Sequence, residues 1–222
     1  MANDDQKRRA AERALNRVRP GMVLGVGTGS TVNHFIDALG RSGERLEAVV
    51  ASSEATARRL RALDLPLTDL NQVPGIDLYV DGADEVNAHL QLIKGGGGAL
   101  TREKICAVAA REFICIVDAA KRVPVLGAFR VPVEVLPMAQ SLTARALMKL
   151  GGMPELRIGA TTDNGNVLLD VDFGHILDPL GLERAVKSLT GVVEVGIFAT
   201  RRADRLLVGT AAGVEEVTLP AG

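Results

Sequence analysis

Residues 94–104 read K-G-G-G-G-A-L-T-R-E-K, and few local structures accommodate such a run. Four consecutive glycines do not sit in a helix or strand interior, because glycine loses more backbone entropy on ordering than any other residue. They do reach dihedrals closed to other residues, so successive backbone N–H groups can point into one anion-binding concavity. Ala99 to Arg111 are good helix formers, with apolar positions at Leu100, Ile105, Val108 and Ala109, so a helix is expected to start where the loop ends. A helix N-terminus after such a loop favours phosphate or carboxylate. Lys94 adds a cation and Glu103 a carboxylate in the first helical turn. Lys94, Gly95, Gly96, Gly97 and Glu103 together have the composition of a catalytic site. The plainer alternative is a surface loop in which Glu103 is an ordinary helix-start acid.

The flanking chain supplies a scaffold. Asp4–Val18 reads as a helix ended by Pro20-Gly21, and Met22–Val26 as a short apolar strand entering G-V-G-T-G-S-T and a helix over 31–39. Strands at 46–51, 76–80 and 113–117 follow, with helices at 54–62 and after the glycine loop between them. Their runs are apolar throughout rather than at alternate positions, which implies a parallel sheet covered on both faces. Ligands bind such sheets beyond the carboxyl ends of the strands. Four of those ends carry suitable chemistry: Thr28 to Thr31, Ser52-Ser53, Asp81 to Asp84, and Lys121. From Val131 the order becomes strand 131–136, helix 140–150, strand 155–158, an Asn164-Gly165 turn, strand 167–173, helix 179–189 and strand 192–198. This is the βαββαβ order of a ferredoxin-like unit. The expected architecture is therefore a Rossmann-like parallel sheet domain (1–128 and 204–222) with an inserted ferredoxin-like α+β domain (129–203).

Each motif has limits. G-V-G-T-G-S-T lacks the third glycine of a dinucleotide fingerprint and the G-K-[ST] of a P-loop. Thr28, Gly29, Ser30 and Thr31 instead suit a single phosphate or sugar hydroxyls, or merely a tight strand–helix turn. In D-G-A-D-E, Asp81 and Asp84 stand across Gly82 and Ala83; such neighbouring carboxylates repel and can share a proton. That suits acid–base work on hydroxyls or a divalent metal, and adjacent Lys94 favours the former. His34, His89 and His175 have no metal-ligand spacing, so no metal is expected. Cys106 and Cys115 match no disulfide or C-x-x-C pattern and read as reduced. A net charge of −1 without basic runs argues against nucleic acid, no apolar run reaches membrane-spanning length, and the charged first ten residues do not resemble a secretory signal. A cytoplasmic protein is expected.

Assembled in order, these motifs resemble the A-type ribose-5-phosphate isomerases. The resemblance runs nearly end to end, through G-V-G-T-G-S-T, S-S-E-A-T, D-G-A-D-E, K-G-G-G-G-A-L-T-R-E-K, P-V-E-V-L-P, T-D-N-G-N and G-V-V-E-V-G-I-F. It implies Glu103 as catalytic base, substrate binding by residues 28–31, 81–84, 94–97 and Lys121, no metal or organic cofactor, and a homodimer or homotetramer. One departure is Ala120, where many members carry serine. The implied reaction interconverts ribose 5-phosphate and ribulose 5-phosphate through an enediolate, with Glu103 moving a proton between C2 and C1. Lys94 and Asp84 would stabilise the developing charge, and Asp81 would pass protons between sugar oxygens. Two rivals are an aminosugar-phosphate isomerase/deaminase, which should show a histidine beside the base, and a sugar-phosphate sensor fused to a helix-turn-helix. Neither His89 nor His175 sits in such a motif, and the chain has no room for the second domain.

Overall fold

The computed structural model describes residues 2–219. In chain order the elements are α1 (Ala2–Leu15), β1 (Val23–Val26), α2 (Ser30–Ser42), β2 (Ala48–Ala51), α3 (Glu54–Arg61), β3 (Ile76–Asp81), β4 (Glu85–Val86), β5 (Leu92–Ile93), α4 (Leu100–Ala109) and β6 (Ala110–Asp118). They continue as β7 (Val131–Val135), α5 (Gln140–Lys149), β8 (Met153–Leu156), β9 (Val167–Asp172), α6 (Pro179–Lys187), β10 (Val192–Val195), β11 (Ile197–Phe198), β12 (Arg205–Gly209) and β13 (Val214–Thr218). The chain forms two compact units. One comprises the chain up to Ala83, Arg102–Lys121 and the chain from Ala203; the other comprises Asp84–Thr101 and Arg122–Arg202. The expected larger domain also reached residues 1 and 220–222, which lie outside the described residues.

The first unit is built on a six-stranded sheet in the order β13-β12-β6-β3-β1-β2. Five strands are parallel and only β13 runs against its neighbour, as the apolar runs required. Leu24, Val26, Val49, Leu78, Val80, Ile114 and Ile116 meet Phe35 and Ile36 of α2 and Ala10, Ala11 and Ala14 of α1 in one core. Removing each of the larger side chains from water contributes about 1.5–3 kcal/mol. With the strands parallel, the segments after Val26, Ala51, Asp81 and Asp118 all leave the same edge of the sheet.

In the second unit the elements run β7, α5, β8, β9, α6, β10, and the four strands form an antiparallel sheet ordered β10-β7-β9-β8, so the first strand lies between the fourth and the third. Val131, Val133, Val135, Leu147, Leu169, Val171 and Val186 are its core. The single strand expected over 192–198 is two. Gly196 interrupts it, where a Cβ would stand 2.2 Å from the carbonyl oxygen of Lys94, and β11 beyond it joins β5 and β4 in a small sheet. Strands of two residues carry no readable periodicity, and β4 and β5 were not expected. Through them residues 84–101, assigned by sequence to the larger domain, pack with the second unit. Among the described residues no helix is long and apolar enough to cross a membrane.

Candidate active site

The chemistry-bearing strand ends of the first unit converge. Gly27 and Thr28 leave β1 under a web of bonds from α3. The Thr56 hydroxyl donates to the Gly27 carbonyl at 2.6 Å and pairs with Thr28 Oγ1 at 2.9 Å, while Ser53 Oγ bonds Thr28 Oγ1 and accepts from Thr56 N. The S-S-E-A-T motif thus holds the neighbouring loop. Gly29 takes φ +118°, open to glycine at little cost, and α2 begins at Ser30 with no side chain capping it. A 13-residue helix with an uncapped start presents N–H groups to an anion. Thr31 is already inside the helix and buried. Lys7 of α1, which lies in none of the motifs, places Nζ 3.0 Å from Ser30 Oγ. No spacing rule links residues of separate elements, so nothing in the sequence singled it out.

Asp81 ends β3 fully buried. Its Oδ1 accepts from Thr28 N at 3.1 Å and Gly82 N at 2.7 Å, and its Oδ2 from the Tyr79 hydroxyl. One carboxylate therefore ties the loop after β1 to the end of β3. Glu103, 4% exposed, is in the first turn of α4. The apolar face expected for that helix is corrected. Leu100, Glu103, Lys104 and Ala107 point inward, whereas Ile105 and Val108 are 51% and 66% exposed. Residues at i, i+3, i+4 and i+7 share a helix face, so burying Glu103 turns Ile105 and Val108 to solvent. The charges register on their neighbours. Burial, then the carboxylates of Asp81 and Glu103, push the Cys106 thiol up to about 12, with Arg102 opposing. Burial and then Asp81 push the Tyr79 phenol well above its ordinary range. Lys121 is half-buried in the turn after β6, where Gln6 Oε1 accepts from Ala119 N at 3.3 Å.

The remaining expected residues belong to the second unit, with Ala83 closing the first. Lys94 is 2% exposed, its ammonium 5.7 Å from the Phe198 ring centroid. Its N–H donates to the Gly196 carbonyl at 2.8 Å. Gly95 and Gly98 take φ +108° and +79°, and Gly98 N donates to the Gly95 carbonyl at 2.9 Å, closing a turn around Gly96 and Gly97. Gly96 N donates to Asp84 Oδ2 at 2.8 Å. Asp84 and the glycines are thus one assembly, and Asp81 belongs to another. Thr101, just after the turn, donates to Glu134, a fully buried carboxylate that also accepts from Thr162 Oγ1 at 2.9 Å, Asn164 Nδ2 at 3.1 Å and Asn166 Nδ2 at 2.7 Å. This explains the P-V-E-V and T-D-N-G-N motifs, which join one network. Among the described residues no group of three His, Cys, Asp or Glu is disposed to hold a metal ion.

Comparison with known proteins agrees over nearly the whole chain. The family profile described as ribose 5-phosphate isomerase A (phosphoriboisomerase A) matches residues 48–213. A ribose 5 phosphate isomerase A from Neisseria gonorrhoeae is 47% identical, with 99% of this chain and 98% of that one covered and a TM-score of 0.96. A D-ribose-5-phosphate isomerase solved in complex with phospho-erythronic acid is 40% identical, with 99% and 100% covered and a TM-score of 0.95. A ribose 5-phosphate isomerase A from Methanocaldococcus jannaschii is 39% identical, with 97% and 99% covered and a TM-score of 0.92.

Proposed function

The chain belongs to the ribose 5-phosphate isomerase A family and isomerises ribose 5-phosphate; from that premise we propose that Glu103 is the base that carries a proton between C2 and C1 of an enediolate. The observation that carries the assignment is Glu103 itself, a carboxylate 4% exposed in the first turn of the helix that follows the glycine turn. A positioned base of this kind accelerates proton transfer about 10²–10⁴-fold. The uncapped start of α2 at Gly29 to Thr31, with Thr28, Lys7 and Lys121, is the proposed phosphate site. Anchoring the unreactive end of the sugar holds the reacting carbons in place. Lys94 and the glycine turn Gly95 to Gly97, whose Gly96 N–H holds Asp84 and whose Gly97 N–H is left for the substrate, are with a hydrogen-bonding Asp84 the proposed stabilisers of the enediolate oxygens. Asp81, fastened by Thr28, Gly82 and Tyr79, is the proposed group that passes protons between sugar oxygens during ring opening.

This activity fits the non-oxidative branch of the pentose phosphate pathway, and we read the protein as a cytoplasmic homodimer or homotetramer. Apolar side chains left in solvent support the oligomer: Ile105 and Val108 in the first unit, Met138 and Leu142 in the second. Glu103→Gln preserves shape but cannot accept the C2 proton, so in a coupled assay kcat should fall at least about 10²-fold with little change in KM. Near-normal turnover by the folded variant would move the base to Asp81 or Asp84. Turnover of glucosamine 6-phosphate in place of ribose 5-phosphate would instead favour the aminosugar isomerase reading.

A further inference from the structure

Four glycines in a row are costly to order, and in this fold neighbouring side chains hold the turn. Pro132 and Leu168 bound it on one side, standing 3.1 and 3.2 Å from where Cβ atoms on Gly95 and Gly98 would be. The decisive contact is polar. Arg157 Nη1 donates to the Gly95 carbonyl at 3.2 Å and to the Gly96 carbonyl at 3.1 Å. Its Nε donates to Asp170 Oδ2 at 2.8 Å and its Nη2 to Asp170 Oδ1, a two-point pairing of fork and carboxylate. Both side chains are 22% exposed.

Peptide planarity turns this into a statement about donors. In a trans peptide the N–H points opposite to the preceding C=O. With the Gly95 carbonyl on Arg157, the N–H of Gly96 must face away from it, and it does, reaching Asp84 at 2.8 Å. With the Gly96 carbonyl on the same guanidinium, the N–H of Gly97 faces away from Arg157 as well. One guanidinium therefore sets two consecutive peptide planes, and Asp170 sets the guanidinium.

We propose that Arg157 and Asp170 are positioning residues for the isomerisation: they hold the Gly95–Gly97 peptides so that the Gly97 N–H, together with Asp84, faces the enediolate. The proposal rests on the functional reading above. Neither side chain touches the reacting atoms. Their effect is to keep the donors preorganised, the condition under which such donors favour a transition state over a ground state.

The test uses Arg157→Lys and Asp170→Asn in the full-length chain. Lysine keeps the charge but cannot span two carbonyls and a carboxylate at once. Expected for Arg157→Lys is a kcat roughly ten- to a hundredfold lower with KM for ribose 5-phosphate within about threefold, since supporting residues around a site carry effects of that size. Affinity for phospho-erythronic acid should fall in parallel with kcat, while affinity for inorganic phosphate stays unchanged. Amide exchange at Gly96 and Gly98, whose N–H groups are bonded to Asp84 and to the Gly95 carbonyl, should quicken in both variants. Arg157→Ala should regain part of its rate with added guanidinium, because Arg157 and Asp170 line a cavity of about 580 Å³ that could admit it. Equal loss of phosphate and phospho-erythronic acid, or kcat within twofold of the parent with unchanged exchange, would overturn the proposal. The exchange measurement is independent of turnover. A parent protein inactive on ribose 5-phosphate but with Arg157-dependent amide protection would sink the functional reading and leave the brace standing.

Discussion

A Cβ on Gly27 would stand 2.0 Å from both Cγ and Oδ1 of Asp81. The loop after β1 and the end of β3 therefore approach more closely than any side chain at that position permits. Gly27→Ala must displace either the Asp81 carboxylate or the backbone that carries Thr28. Displacements near 1 Å at reacting groups cost about 10²-fold. Gly27→Ala is expected to lower kcat/KM by about that factor; steady-state kinetics within fivefold of the parent would show that Asp81 tolerates the shift.

The buried thiol of Cys106 supplies a pH signature. Its pKa rises from an ordinary 9.0 to about 12 in the folded protein. Below about pH 9 the thiol is protonated in both states and its contribution to stability is complete. Above that the unfolded chain loses the proton first, so stability falls until the folded pKa is passed, by up to about 1.4 kcal/mol per pH unit. Tyr79, shifted in the same direction, adds to the loss at higher pH. Melting temperatures measured from about pH 8 to pH 11 should decline, and Cys106→Ala should make the decline shallower. An unchanged slope would assign the alkaline loss elsewhere.

Glu134 is fully buried and accepts from Thr101, Thr162, Asn164 and Asn166. Removing the acceptor strands several donors away from water. Each buried donor left without its acceptor costs about 1–3 kcal/mol, so losing several should lower the melting temperature of a chain of this size by roughly 10 °C. Calorimetry of Glu134→Ala checks it, and Glu134→Gln should lose less because its amide oxygen still accepts. A shift under about 2 °C would mean that the donors find other partners.

Lys94 and Lys121 should separate binding from chemistry. If Lys121 holds the phosphate, Lys121→Ala weakens substrate and phospho-erythronic acid alike, by roughly ten- to a hundredfold. If Lys94 faces the enediolate, Lys94→Ala lowers kcat and weakens phospho-erythronic acid more than substrate. Calorimetric titration of both ligands into both variants decides, and the reverse pattern would exchange the two roles.

Backbone preference over a few residues was enough to locate the glycine turn, the parallel strands and the four strand ends that bear Thr28, Ser53, Asp81 and Lys121, because periodicity and glycine content act locally. The βαββαβ order of the second unit was legible for the same reason. What tertiary structure alone decided are pairings between distant residues: Lys7 with Ser30 across 23 positions, Thr101 with Glu134 across 33, and Arg157 with Gly95 across 62. The inward face of α4 belongs with them. By pattern Ile105 and Val108 should be covered, but the protein covers Glu103 and Lys104 instead. Hydrophobic patterning sets which residues gain from burial. Which polar groups are buried with them depends on partners that only the folded chain brings within hydrogen-bonding distance.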